Sequence, residues 1–187
     1  TILDAGLKLC LEQGVADLEM KVVAQEAQVG RTTLYRYFPS KRDLVYAILR
    51  DEGENRVGPY YHQLRLGFKG NGLEKFEQFL NQLIDATINF PDFFYLMAMV
   101  DAYYGRQDSA ENLTNVYQEM FSGLLVEDTP AEFLAEGQED GSVSKDIDSH
   151  LYMMTSLATL YSLAGHTALV GSEGVQLTFN VSKPERS

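Results

Sequence analysis

Cysteine is nearly absent: Cys10 is the only one in 187 residues, so no disulfide can close within the chain and no cysteine cluster can hold a metal. Long apolar runs are missing too. No stretch approaches the ~20 residues that cross a bilayer, and no charged-then-apolar segment opens the chain, so the expectation is a cytoplasmic protein with no membrane partner. With secretion set aside, Asn112-Leu113-Thr114 and Asn180-Val181-Ser182 read as chance matches to a glycosylation signal. His62, His150 and His166 lie far apart, and no G-x-S-x-G elbow, P-loop or H-E-x-x-H pair occurs. The chain therefore reads as no enzyme, with no metal and no cofactor expected.

Positive charge is also scarce, and its distribution is uneven. Fifteen Lys and Arg face 27 Asp and Glu, a net charge of −12. Residues 1–50 hold seven basic and six acidic side chains, whereas residues 51–187 hold eight and twenty-one. Such segregation lets one surface meet a polyanion while the rest stays solvated and repelled. What remains is ordinary: 45% hydrophobic and 22% charged residues describe a globular chain long enough for one sizeable core, or for a small domain joined to a larger one.

Within the first fifty residues, Leu3, Leu7 and Cys10, with Leu11 alongside, recur at helical spacing, and Gly14 should end a helix over residues 2–13. Asp17 is placed to cap the next helix. Residues 20–27 form this short second helix, with Val23 and Ala27 on one face. Gln28-Val29-Gly30 interrupts the periodicity, and a third helix covers Arg31 to Phe38. There Leu34 and Phe38 share one face, while at about 100° per residue Thr32 and Arg36 project oppositely, flanked by Thr33 and Tyr35. Pro39 stops this helix, and Ser40 with Asp43 has the pattern of a capping box opening a fourth. Lys41 and Arg42 sit in its first turn, where positive charge opposes the helix dipole, so they are expected to serve a phosphate outside the helix. Three short helices with a donor-rich third make a helix-turn-helix DNA-binding domain, or, more plainly, a small helical subdomain with a solvated charged face.

The runs ILDAGLKLCLEQG and VVAQEAQVGRTTLYRYFPSKRDLVYAIL, and above all Thr33-Leu34-Tyr35-x-x-Phe38-Pro39-Ser40-Lys41, resemble the N-terminal domain of the TetR family of bacterial transcriptional regulators. The likeness covers residues 2 to about 50. It implies an all-α fold, a dimer and a ligand-responsive repressor, with Lys21, Arg31, Thr32, Thr33, Tyr35, Arg36 and Tyr37 at DNA and Lys41 as the phosphate-binding lysine. Arg36 and Arg31 are the candidates for guanine edges, and Lys21, Lys41 and Arg42 for phosphates. The sequence departs from the family at two places. Met20 stands where a phosphate-touching hydroxyl is common, and Gln28 replaces the usual turn glycine, which asks a glutamine to take a left-handed or otherwise strained backbone.

Beyond residue 50 a larger helical ligand-binding and dimerisation domain, residues 51–187, is expected. Its features begin with a break or kink at Gly58-Pro59, where the fourth helix should stop at about Val57. Next comes a helix capped by Asn71 and Glu74 with a stripe of Leu73, Phe76, Leu80, Leu83, Thr87 and Phe90, ended by Pro91. An all-apolar segment from Phe93 to Val100 reads as the central buried helix. Phe94, Asp101, Tyr103, Tyr104 and Tyr117 are the candidate ligand residues, Asp101 as the polar handle; core packing is the plainer reading of each ring. A helix at 110–126 and a segment to Glu139 come after it. The run EDGSVSKDID lacks calcium-loop spacing. The longest helix, residues 148–170, offers Tyr152, Leu157, Leu160, Tyr161, Ala164 and Ala168 for a homodimer interface, and past Gly171 the pattern fades. The function expected is a DNA-binding regulator, most simply a repressor released from a palindromic double-stranded operator by a small-molecule effector. The alternative is a small-molecule sensor that works through protein partners without DNA.

Overall fold

The computed structural model describes residues 1–60, 67–105, 115 and 130–179, with side chains as far as Ala168. Every regular element among them is helical: α1 (Ile2–Asp17), α2 (Met20–Glu26), α3 (Arg31–Tyr37), α4 (Lys41–Glu52), a π-turn (Gly53–Val57), α5 (Gly72–Asn89), α6 (Pro91–Tyr104), α7 (Pro130–Asp140) and α8 (Ser149–Phe179). The described residues fall into two compact units, one drawn from Thr1–Gln63 and Tyr95–Val126, the other from Leu64–Phe94 and Glu127–Ser187. Apart from residue 115, the expected helix at 110–126, with Tyr117, lies outside the described residues, as does His62.

In the first unit α1 packs on α2 and α4, and α2 on α3. Cys10, Val23, Leu34, Leu44, Val45 and Leu49 are fully buried there. Burial pushes the Cys10 thiol up to about 11, so it stays protonated and packs as a small apolar group. The buried face of α1 is Ala5, Gly6, Leu9 and Cys10, whereas Leu3, Leu7 and Leu11 are only half-buried. Cys10 of the expected stripe is buried but its leucines are displaced from the inner side, because apolar residues cover more than half of the circumference and periodicity alone cannot choose the inner side. Gly14 does leave helical geometry, at φ 86°, but the chain resumes helical turns to Asp17. Glu19 rather than Asp17 precedes α2, without a side-chain cap.

Gln28 adopts φ 54°, the left-handed turn that the missing glycine would otherwise supply. The Ser40–Asp43 capping box is formed in both directions. At the far end of α4 the expected break at Gly58-Pro59 does not occur. The helix widens over Gly53–Val57, the Gly58 N–H reaches back to the Gly53 carbonyl, and helical backbone continues to Tyr60. Proline interrupts an i→i−4 ladder by clashing with the carbonyl four residues back; a wide turn just before it shifts the register and lets Pro59 be accommodated.

In the second unit α5 packs on α7, and α8 on both. Phe76, Phe79, Phe133, Leu134 and Val143 form its core, with Phe68, Leu80, Leu83, Met153 and Leu157 against them. The Asn71–Glu74 capping box opens α5 as expected. Leu73, in the exposed first turn, falls outside the stripe, and Phe79 and Ala86 take buried places instead. The α5 N-terminus is also gripped from 68 residues away: the Gly72 N–H donates to Asp140 Oδ2 at 2.8 Å and the Leu73 N–H to Ser142 Oγ at 3.2 Å. Bonds from the Ser142 hydroxyl and from the backbone N–H groups of Gly72 and Ser142 hold the Asp140 carboxyl below its usual range. Pro91 opens α6 rather than merely ending α5, and Phe93, Phe94, Leu96, Met97, Met99 and Val100 are buried. α8 runs on past Gly171 to Phe179.

Two substitutions test these backbone constraints. Gln28→Gly removes the left-handed penalty and should raise stability in urea denaturation by about 0.5–1 kcal/mol. Gly72→Ala should lower it by about 1–3 kcal/mol, because a Cβ there would collide with the backbone of Gly137 and Phe133.

Candidate nucleic-acid interface and a cleft in the second unit

α3 is seven residues long and buries one side chain completely, Leu34. With that side turned inward, Arg31, Thr32, Tyr35 and Arg36 are exposed, Tyr35 to 47%. Thr33 is half-buried, and Tyr37, 61% exposed, lies off the opposite flank with its ring 6.5 Å from that of Phe38. The Arg36 guanidinium lies over the Tyr37 ring, 5.1 Å from its centre. Such stacking steadies a long side chain while leaving its N–H groups outward. Lys21, at the start of α2, is exposed, with its ammonium 3.5 Å from Glu19.

The start of α4 presents the other two basic residues. Ser40 Oγ accepts from the Asp43 N–H at 3.2 Å, while the Ser40 N–H and hydroxyl donate to Asp43 Oδ2 at 2.9 and 2.7 Å. This lock fixes the turn from which Lys41 and Arg42 depart. Arg42 is exposed. Lys41 is half-buried: its ammonium donates to the Ala16 carbonyl at 2.6 Å and lies 4.8 Å from the centre of the Tyr103 ring. The structure therefore brings Arg31, Thr32, Tyr35 and Arg36 onto one side of α3, and holds Lys41 by contacts inside the protein.

Of the residues expected to take a ligand, Tyr117 lies outside the described residues and the other four are divided between the two units. Tyr103 serves Lys41 and packs edge-on against Tyr104, their ring centres 4.8 Å apart. Tyr104 is buried and packs edge-on against Tyr46 at 5.4 Å. Asp101 is half-buried in the same unit, while Phe94 is buried against Phe93 in the other. Among the described residues these rings thus pack against neighbouring aromatic rings.

A cleft does exist elsewhere, in the second unit between α5 and α8. It measures about 570 Å³ and is lined by Glu77, Leu80, Asn81, Ile84, Tyr152, Thr155, Ser156, Thr159 and Leu160. Sequence reasoning passed over most of these. The available signal was the stretch 149–168, which contains no Asp, Glu, Lys or Arg yet carries hydroxyls at Thr155, Ser156 and Thr159. The dimer candidates are divided by the same helix. Leu157 packs on the core of its own chain and Ala164 is buried; Tyr152 and Leu160 line the cleft; Tyr161 and Ala168 are half-buried. Exposed along the helix are Leu151, Tyr152, Met154, Thr155, Ala158, Thr159, Ser162 and Leu163, so the dimer candidate Tyr152 is itself open to solvent.

Among the described residues no three His, Cys, Asp or Glu side chains gather to hold a metal ion, and no single helix is long and apolar enough to cross a membrane.

Residues 2–48 match the sequence model of bacterial regulatory proteins, tetR family. The HTH-type transcriptional repressor KstR of Rhodococcus jostii (strain RHA1) is 30% identical over 141 residues, covering 70% of this chain and 61% of its own. KstR of Mycolicibacterium smegmatis (strain ATCC 700084 / mc(2)155) is 45% identical over 53 residues, 28% of this chain and 26% of its own. The chain thus matches less than two thirds of the length of these relatives. Among solved structures, the transcriptional regulator FadR from Bacillus subtilis in complex with stearoyl-CoA superposes with a TM-score of 0.61 at 19% identity, covering 96% of this chain and 92% of that one, a likeness of fold. With the Thr33 to Lys41 signature seated on α3 and the capped start of α4, and with matches running in both head and whole fold, the chain belongs to the TetR family of bacterial regulatory proteins.

Proposed function

We propose that the chain is a ligand-responsive DNA-binding transcriptional regulator, a repressor that leaves a palindromic operator when a small molecule binds. The observation that carries this reading is the outward face of α3. Arg31, Thr32, Tyr35 and Arg36 are exposed there while Leu34 is fully buried behind them. A helix entering the major groove needs such a face, since base edges there present acceptors to arginine and a methyl or carbonyl to threonine. Lys21, Lys41 and Arg42 supply phosphate attraction that carries no sequence information, and Tyr35, Tyr37 and Thr33 add side-chain donors at the flanks. Residues 1–50 serve as the DNA-binding domain and residues 51–187 as the domain for effector and partner subunit.

A palindrome requires two reading heads related by a two-fold axis. The face of α8 made by Leu151, Met154, Ala158 and Ser162 is open to solvent and uncharged, and it suits close packing against its copy in a homodimer. The inward placement of Leu157 and Ala164 makes this a different face from the one that periodicity favoured. Release is then a population shift: an effector bound more tightly by the conformation whose reading heads are wrongly spaced draws the dimer off DNA. The naming of KstR as a repressor and of FadR as a regulator in complex with an acyl-CoA supports both halves of the proposal.

The test begins with operator fragments selected from random duplex DNA, titrated by fluorescence anisotropy. Arg36→Ala should weaken binding to the selected sequence by about 1–3 kcal/mol and relax the preference at one position of each half-site. An unchanged affinity would remove Arg36 from the reading face. Lys41→Ala should weaken selected and random duplexes alike and lower the slope of log K against log salt by about one.

A further inference from the structure

The cleft between α5 and α8 has a donor and acceptor inventory that selects its occupant. Its body is apolar: Leu80 and Ile84 from α5, Leu160 from α8, and the ring of Tyr152, which is tilted against Phe76 at 5.9 Å. Its volume of about 570 Å³ falls within the ~300–1,000 Å³ of small-molecule sites. Its polar groups lean one way. The Thr155 hydroxyl donates to the Leu151 carbonyl at 2.8 Å and the Thr159 hydroxyl to the Thr155 carbonyl at 2.7 Å. Their protons are spent on the helix, so toward a ligand both oxygens can only accept. Glu77 brings a carboxylate, also an acceptor only. Asn81 and Ser156 can adapt to either role.

Among the described residues no lysine, arginine or histidine lines the cleft. Lys75, the nearest cation in sequence to Glu77, is clamped by Glu136 at 2.6 and 2.8 Å. Asp85 is exposed one turn beyond Asn81 on the same helix, which adds negative rather than positive potential. The remainder of this part of the chain is acidic in the same sense, with 21 acidic and eight basic residues after residue 50. The cleft is open, with Glu77, Asn81, Ile84 and Tyr152 exposed; a carboxylate or phosphate entering here would meet no cation from its lining and face Glu77. An ammonium would meet the Glu77 carboxylate, the threonine oxygens and the side chain of Tyr152.

We propose that this cleft is the effector site and that its ligand is an amphiphilic organic cation, an ammonium or related group on an apolar body, rather than a fatty acid or an acyl-CoA. The inference rests on the effector reading above, and it separates this chain from a regulator that holds stearoyl-CoA in a similar fold.

The experiment uses the full chain and three probes of matched apolar length, decyltrimethylammonium, decanoate and decanol, below their micellar concentrations. Binding is followed by isothermal titration at low salt. The cation should bind, with decanoate about tenfold or more weaker. Glu77→Gln should weaken the cation about fivefold and leave decanol unchanged, whereas Glu54→Gln, an equal loss of charge on an exposed residue of the other unit, should alter neither. Decanoate binding as tightly as the cation overturns the proposal, as does a cation affinity indifferent to Glu77→Gln. Absence of cation binding also overturns it, and if Glu77→Gln then shifts the monomer–dimer balance the cleft belongs to a second copy of the chain. DNA release is read separately by anisotropy. Cation binding without release leaves the ligand chemistry standing and sinks the effector role, whereas release by decanoate alone keeps the regulator and discards the cationic cleft.

Discussion

Everything the reading head presents depends on one buried side chain in a helix too short to stand alone. Seven residues make about two turns, well below the ~12–15 residues at which an isolated helix becomes marginal in water. α3 therefore exists because Leu34 is taken wholly into the core of the first unit, a burial worth about 1.5–3 kcal/mol. That single anchor also sets rotation. With Leu34 inward, Arg31, Thr32, Tyr35 and Arg36 have nowhere to point but out. The turn before α3 fixes its direction, and there Gln28 accepts a left-handed backbone at φ 54°. The capping box after it fixes the exit. Strain on one side and a satisfied cap on the other hold a short element in a defined pose.

The acidic remainder then becomes part of the same design. Residues 1–50 are +1 by the count of seven basic and six acidic side chains, and the rest is −13. The repulsion of a polyanion by the larger part leaves the head as the surface DNA can approach, and the effect is longest-ranged at low salt. The same surplus of carboxylates gives the α5–α8 cleft its sign. On the functions proposed above, one feature of composition thus bears on both the macromolecular partner and the small one, in opposite directions.

How much of this was legible in the sequence depends on the range of each determinant. The capping boxes at Ser40 and Asn71 were readable because cap and partner lie three residues apart, and so was the demand on Gln28, which is a property of one backbone position. The phase of the apolar stripes was not. In α1, α5 and α8 apolar residues cover more than half the circumference, so the inner side is decided by what packs across: Leu9 rather than Leu3, Phe79 rather than Leu73, Leu157 inward rather than outward. The Gly72–Asp140 bond joins residues 68 positions apart, and the π-turn at Gly53–Val57 resolves a proline clash that local rules read as a break. The cleft eluded sequence reading for the same cause as the stripes. Its lining comes from two helices more than sixty residues apart, and large aromatic residues were a stronger local signal than a row of threonines.

Lys41 shows why a motif residue and its energetic role are separate questions. The signature places a lysine at the start of α4, and there it is, but its ammonium already holds the Ala16 carbonyl and the face of Tyr103. A charge-assisted hydrogen bond is worth about 1.5–3 kcal/mol and an exposed cation–π contact about 0.5–1 kcal/mol. Meeting a phosphate exchanges these contacts for new ones, so the net contribution of Lys41 to DNA affinity is a difference and is smaller than that of a lysine free in water. The charge itself is not exchanged away. Counterion release depends on the charge brought to the phosphate, so on the DNA contact proposed above Lys41 would weigh more in the salt dependence of binding than in its strength. Arg36 differs in kind. Its stacking partner Tyr37 is on the same helix, and an arginine held by its flat face keeps its outward N–H groups for a base edge.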